Sequence, residues 1–157
     1  MAFNDIHLDL KGVQGESKDA VYGQTMTVEE FSFAARASHD AATGQATGKR
    51  HWAALTFVKR LDAATPLLLK ALAQNSKIGK GSMTLRKAGG GQEPYLTITL
   101  EDVYVEGYSV SSPDSELPKE SVQLAYGKIT VDYKKQASDS GQAGGTISFT
   151  DTLWNQT

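Results

Sequence analysis

The stretch YLTITLEDVYV, residues 95–105, carries two patterns that disagree with each other. Leu96, Ile98 and Leu100 alternate with Tyr95, Thr97 and Thr99, the period of a strand with one buried face. Past Glu101 and Asp102 the apolar positions become odd, at Val103 and Val105. A slip of one residue turns every later side chain to the opposite face. A β-bulge or sharp bend at the switch restores one buried face throughout.

The same change of phase occurs twice more. Met26 and Val28 are followed by Phe31 and Phe33. Val122, Leu124 and Tyr126 give way across Gly127 to Ile129, Val131 and Tyr133. Strands bent in this way close or fold a sheet on itself. The expected architecture is therefore mainly β, a closed or folded β-barrel in a single domain over residues 1–157.

Other segments alternate without a break: Ile6, Leu8 and Leu10; Met83 and Leu85; Ile147 and Phe149. HWAALTFV, residues 51–58, is apolar on both faces and reads as a strand covered on both sides. TPLLLKALAQN, residues 65–75, reads as the one short helix. Thr65 is its expected cap and Pro66 lies in its first turn. Leu61, Leu68 and Leu72 would form its packing stripe, with Leu69 and Ala73 beside it. Residues 35–50, 111–120 and 135–145 read as long polar loops.

Composition narrows the chemistry. The chain has 39% apolar and 22% charged residues, ordinary for a globular protein. With no cysteine there is no disulfide, thiolate metal site or cysteine nucleophile. The start, MAFNDIHLDL, lacks the basic and apolar regions of a signal peptide, and no apolar run approaches a membrane span. Net charge is −2, but residues 49–87 hold nine basic residues against one acid, Asp62. That segregation suits contact between basic and acidic faces of successive copies better than nucleic acid, given the acidic total.

No residues assemble a convincing catalytic or cofactor site. Gly89, Gly90 and Gly91 stand between two alternating segments, not between a strand and a helix. They read as a hairpin loop and not a phosphate cradle. Asp5, His7 and Asp9 could touch a metal, but the pattern reads as the polar outer face of a strand. His39, Asp40 and His51 have no ligand spacing. The acid pairs Glu29-Glu30 and Glu101-Asp102 point to opposite strand faces, so neither is a ready dyad. Trp52 and Trp154 read as core residues.

Five segments in order carry a family resemblance: GESKD (15–19), FSF (31–33), LTFVKRLDAATPLLLKALAQ (55–74), LRKAGGGQEPYLTITLEDVYV (85–105) and ESVQLAYGKITVDYK (120–134). Together they resemble the haemolysin-coregulated proteins (Hcp), tube proteins of bacterial type VI secretion. The resemblance implies a β-barrel-like domain with one helix on its side, and no enzymatic activity. It implies homohexameric rings stacked into a hollow tube, with a contractile sheath, spike proteins and small effectors as partners. No cofactor, nucleic acid or membrane insertion is implied. Such a protein is cytoplasmic before firing and is then secreted or delivered into a target cell. On this resemblance Ser32 would face the lumen and its cargo. Ser38, His39, Asp40, Thr43, Lys49 and Arg50 would belong to the ring-to-ring contact. The alternatives are a phage-type tail tube or related injection device and, in another class, a small β-barrel hydrolase or carbohydrate-binding domain.

Overall fold

The computed structural model describes residues 4–19, 22–87, 93–113, 116–135 and 145–153. Eleven strands and one helix follow in order: β1 (Asn4–Leu10), β2 (Met26–Val28), β3 (Glu30–Ser32), β4 (Ala35–His39), β5 (Ala46–Trp52), β6 (Leu55–Arg60), α1 (Ala64–Ala73), β7 (Gly79–Lys87), β8 (Pro94–Ser111), β9 (Lys119–Ala125), β10 (Lys128–Lys134) and β11 (Thr146–Thr152).

Strand β8 organises the whole. Its first half pairs with β7 on one side and β10 on the other, and its second half pairs with β9. One sheet runs β2-β1-β7-β8-β10-β11 and the other β8-β9-β6-β3, all antiparallel. The sheets fold over a shared core and do not close into a barrel. Ile6, Leu8, Met83, Ile98 and Leu100 come from the first sheet, and Leu55, Phe57, Val105, Val122 and Leu124 from the second.

Each change of phase in the sequence is a break in the structure. Between Glu101 and Val103 the register with β7 shifts, and Asp102 takes a left-handed φ of +55°. Glu29 separates β2 from β3, which belong to different sheets. Tyr126 and Gly127 separate β9 from β10, again in different sheets. Side chains on either side of each break thus reach one core from two directions.

Several sequence expectations need correction. Thr65 does not cap the helix. Its hydroxyl accepts a hydrogen bond from the Asp62 amide, and the Asp62 carboxylate accepts one from the Ala64 amide at 2.9 Å. The buried stripe of α1 is Ala64, Leu68 and Ala71, with Leu72 half-buried, whereas Leu61 and Leu69 are about two-fifths exposed. Residues 51–58 are not one strand, because Ala53 and Ala54 separate β5 from β6. Residues 35–50 are not a loop. They lie in an antiparallel ribbon, β4–β5, whose described side chains up to His51 are exposed. Segment 111–120 has only Ser111 in β8 and Lys119 and Glu120 in β9, and its other described residues lie outside strands, as a loop does. The arms of the glycine hairpin pair as expected, with Leu85 opposite Leu96. Gly89, Gly90 and Gly91 themselves, most of segment 135–145 and Trp154 lie outside the described residues.

A buried charge network fastens the helix to the second sheet. Lys59 and Glu120 are register partners on β6 and β9, and both are fully buried. The Lys59 ammonium pairs with Glu120 and also with Asp62 at 2.6 Å. Glu120 accepts further hydrogen bonds from Thr65 at 3.1 Å and from Tyr108 at 2.5 Å. Burial, followed by the bond to Glu120, pushes the Tyr108 hydroxyl far above its ordinary range, so it stays a donor.

Removing one member of a buried pair strands the other charge, which costs about 3–5 kcal/mol. Lys59→Met is expected to destabilise the protein by that amount in urea denaturation, and Lys59→Met with Glu120→Gln to recover part of the loss. Equal losses in the single and double variants would show that the pair is not coupled.

Candidate assembly surface

The second sheet buries one face and leaves the other open. Cross-strand register places Ser32 opposite Thr56, Thr56 opposite Gln123, and Gln123 opposite Gly107. The neighbouring row is Glu30, Val58, Ser121 and Ser109. Strand alternation sends Phe57, Val122 and Leu124 to the core and these rows outward. Ser32 and Gln123 are exposed, and Thr56 and Ser121 half-buried. A Cβ at Gly107 would meet the end of the exposed Gln123 side chain, which is flexible enough to turn aside. On the inner side Phe31 and Phe33 pack against the core with ring centroids 6.5 Å apart.

The ribbon β4–β5 is the second exposed feature. Its turn is built by Asp40, whose carboxylate accepts hydrogen bonds from the amides of Ala42 at 2.7 Å and Thr43 at 3.2 Å. The Thr43 hydroxyl accepts from the Gln45 amide at 3.3 Å. His39 pairs in register with Ala46, and Ser38 sits at the register shift between Ala37 and His39. Lys49 lies on β5, its side chain outside the description. Arg50 does not extend freely from the ribbon. Its guanidinium forms a two-pronged ion pair with Asp151, one contact at 2.7 Å, and donates to the Thr152 carbonyl at 2.9 Å. The Trp52 indole N–H also donates to Asp151, at 2.8 Å. No sequence pattern announces Asp151, because about a hundred residues separate it from these partners.

The polar face of β1 holds a different cluster from the one its alternation suggests. His7 is almost wholly buried, and Asp9 is exposed. Asp19, from the loop before β2, joins Asp5 and His7 instead, and their ligand atoms lie within 4.8 Å of one another. The Arg86 guanidinium sits among them, 2.6 Å from Asp19 and 3.2 Å from His7 Nε2, and it pairs with Asp5. The Tyr22 ring stacks on His7 and faces Arg86 at 5.0 Å. Thr25 Oγ1 gives its proton to the Tyr22 carbonyl, so it accepts from His7 Nδ1. His7 Nε2 faces both the Arg86 guanidinium and, at 3.1 Å, an Asp5 carboxylate oxygen. The arrangement is a structural tie that fastens the loop to β1 and β7, with the guanidinium supplying the positive charge a metal would bring. Gly15 belongs to the same tie, since a Cβ there would stand 2.6 Å from the Thr25 carbonyl.

Three of the four carboxylates of the acid pairs are engaged with cations. Glu29 meets Arg60 and Lys119, Glu101 meets Lys128, and Asp102 meets Lys77 at 2.7 Å. None is poised as a proton-transfer dyad. His51 is exposed opposite Arg36.

Comparison with known proteins places this architecture. The family model described as "Type VI secretion system effector, Hcp" matches residues 7–133. The chain belongs to the Hcp family of type VI secretion. It is 32% identical over 149 residues to protein hcp1 of Pseudomonas aeruginosa, a match covering 92% of each chain. It is also 32% identical over 112 residues to a "Major exported protein" of the same organism, covering 66% of this chain and 65% of that one. Among solved structures, Hcp1 from Salmonella typhimurium superposes with a TM-score of 0.81 at 28% identity, covering 97% and 96% of the two chains. Hcp proteins are structural, secreted proteins. The expected mainly β fold with one helix is the fold observed.

In this Hcp chain the Arg50 hydrogen bonds come first among the causes that hold the Asp151 carboxyl below the usual range, with the Trp52 N–H adding to them. A depressed carboxyl pKa favours the folded contact above the ordinary aspartate value of about 3.9 and loses that contribution as pH falls through the lower folded value. In a Trp154→Phe variant, Trp52 fluorescence should stay constant from pH 7 to pH 4 and change only below that. A transition centred above pH 5 would contradict the assignment.

Proposed function

We propose that this chain is the tube subunit of a type VI secretion apparatus. Copies close into hexameric rings, the rings stack into a hollow tube, and the lumen carries small effectors during export. Sheath and spike proteins are the outer and distal partners. The observation that carries the reading is the open face of the second sheet. Its outward rows are polar apart from the half-buried Val58, so they can line a channel without a large apolar patch exposed to water. The name of the exported P. aeruginosa relative supports the export step.

On this reading Ser32 faces cargo, and the ribbon, with Ser38, His39, Asp40 and Thr43 about its turn, meets the next ring. Ring-to-ring contact is heterologous, and contacts of that class either close or propagate as filaments. Lys49 brings positive charge to the ribbon, whereas the charge of Arg50 is matched by Asp151 within the subunit. The chain reads as a carrier, not a catalyst. Three of the four adjacent carboxylates, Glu29, Glu101 and Asp102, are tied to lysine or arginine, which weighs against a hydrolase reading.

Light scattering behind a sizing column, with negative-stain images of the same peak, tests the assembly. The expected result is hexameric rings with open centres. A monodisperse monomer at high concentration would overturn the reading. Ser32→Arg should leave the ring intact and lower the amount of a co-expressed effector that co-purifies with it. Unchanged retention would remove Ser32 from the cargo surface.

A further inference from the structure

The ribbon leaves the body through one small set of contacts. From Ala35 to His51 its described side chains are exposed, and below the ladder pair Ala35–Trp52 the Ala53 amide bonds the Ala34 carbonyl at 2.8 Å. Two side chains of β5 turn back to the body. Arg50 and Trp52 lie two residues apart, so they share a face of the strand, and both reach β11. There they meet one carboxylate. Asp151 takes the Arg50 fork on both oxygens and the Trp52 N–H on one of them, while Arg50 also holds the Thr152 carbonyl. The Asp151 side chain is only 17% exposed.

Aromatic rings extend this contact. Phe31, Phe33, Trp52 and Phe149 form a row with successive centroids 6.5, 6.4 and 6.0 Å apart. The row runs from β3 in one sheet, past the base of the ribbon, to β11 in the other. Phe149 and Asp151 share a face of β11, since they too are two residues apart. An isolated exposed ion pair is worth little. This one has planar two-pronged geometry, a third donor and a stacked ring beside it, and each adds an orientation the others leave open.

The geometry points to Asp151 as the positioning residue that aims the ribbon relative to the body. It acts through Arg50 and Trp52 and does not itself belong to the ribbon. Arg50, which the family resemblance assigns to the ring-to-ring contact, works within the subunit and transmits that aim. On the reading of the ribbon as the contact between rings, Asp151 also determines whether successive rings stack.

The test uses the full chain, which has no cysteine of its own, so labels can be placed at will. Spin labels at Thr43→Cys in the turn and Lys11→Cys on the body report the distance across the clasp, with labelled chains diluted into unlabelled ones. A narrow distribution is expected for the otherwise native chain. Asp151→Ala should roughly double its width, as expected when the contacts that order a projecting segment are lost. Arg50→Ala should broaden it as well, and because that side chain is half-exposed it serves even if Asp151→Ala fails to fold. Arg50→Asp with Asp151→Arg should narrow it again, since the ion pair is rebuilt in reverse. A distribution that is unchanged in both single variants would overturn the proposal.

The second arm counts stacked rings in negative stain. Loss of stacking with rings intact supports both the aim and the ribbon contact. A broadened distribution with normal stacking keeps Asp151 as the positioning residue and removes the ribbon from the ring-to-ring contact.

Discussion

Asp102 stands in the left-handed region, and the longest strand of the protein changes sheet there. Before it, β8 hydrogen-bonds to β7 and β10; after it, to β9. The extra residue reverses the alternation, so Leu100 and Val103 both reach the core from strand segments that face different ways. Neighbouring elements follow the bend. The Ile78 amide bonds the Val103 carbonyl, the Gly127 amide bonds the Glu101 carbonyl, and Lys77 pairs with Asp102 itself. A straight β8 would give one flat sheet with Val103 and Val105 in water. The folded core, the outward rows of the second sheet and the helix packed against β8 all depend on this bend.

The second constraint is the buried network of Lys59, Asp62, Thr65 and Glu120. It explains the three-residue spacing of Lys59, Asp62 and Thr65 across the start of the helix. Asp62 receives the Ala64 amide, Thr65 receives the Asp62 amide and reaches Glu120, and Lys59 supplies the compensating charge. Charge, cap and cross-strand partner form one unit, which fixes where α1 begins and which face it buries.

The bend was legible because burial writes alternation into a sequence, and a bend writes a change of phase. All three breaks were visible in that way. The ribbon was not, because alternation needs one buried face and the described side chains from Ala35 to His51 are all exposed. Thr65 resembled a cap because it precedes a proline and a leucine run, but the Asp62 side chain reaches the helix start first. His7 resembled a surface residue because it alternates with leucines. It is buried because a loop carrying Asp19 and Tyr22 folds over it, and sequence alternation within β1 holds no record of that loop. Asp151 could not be found at all without the fold.

These features divide the molecule into a rigid body, an open polar sheet face and a projecting ribbon clasped at its base. The central claim is that the sheet face and the ribbon have separate roles in assembly, one lining a channel and one joining rings. A cryo-EM reconstruction of the assembled particles tests this most directly. The account predicts Ser32, Thr56 and Gln123 along the channel wall and the β4–β5 ribbon at the junction between rings. A channel walled instead by α1 or by the first sheet, with the ribbon pointing away from the neighbouring ring, would contradict it.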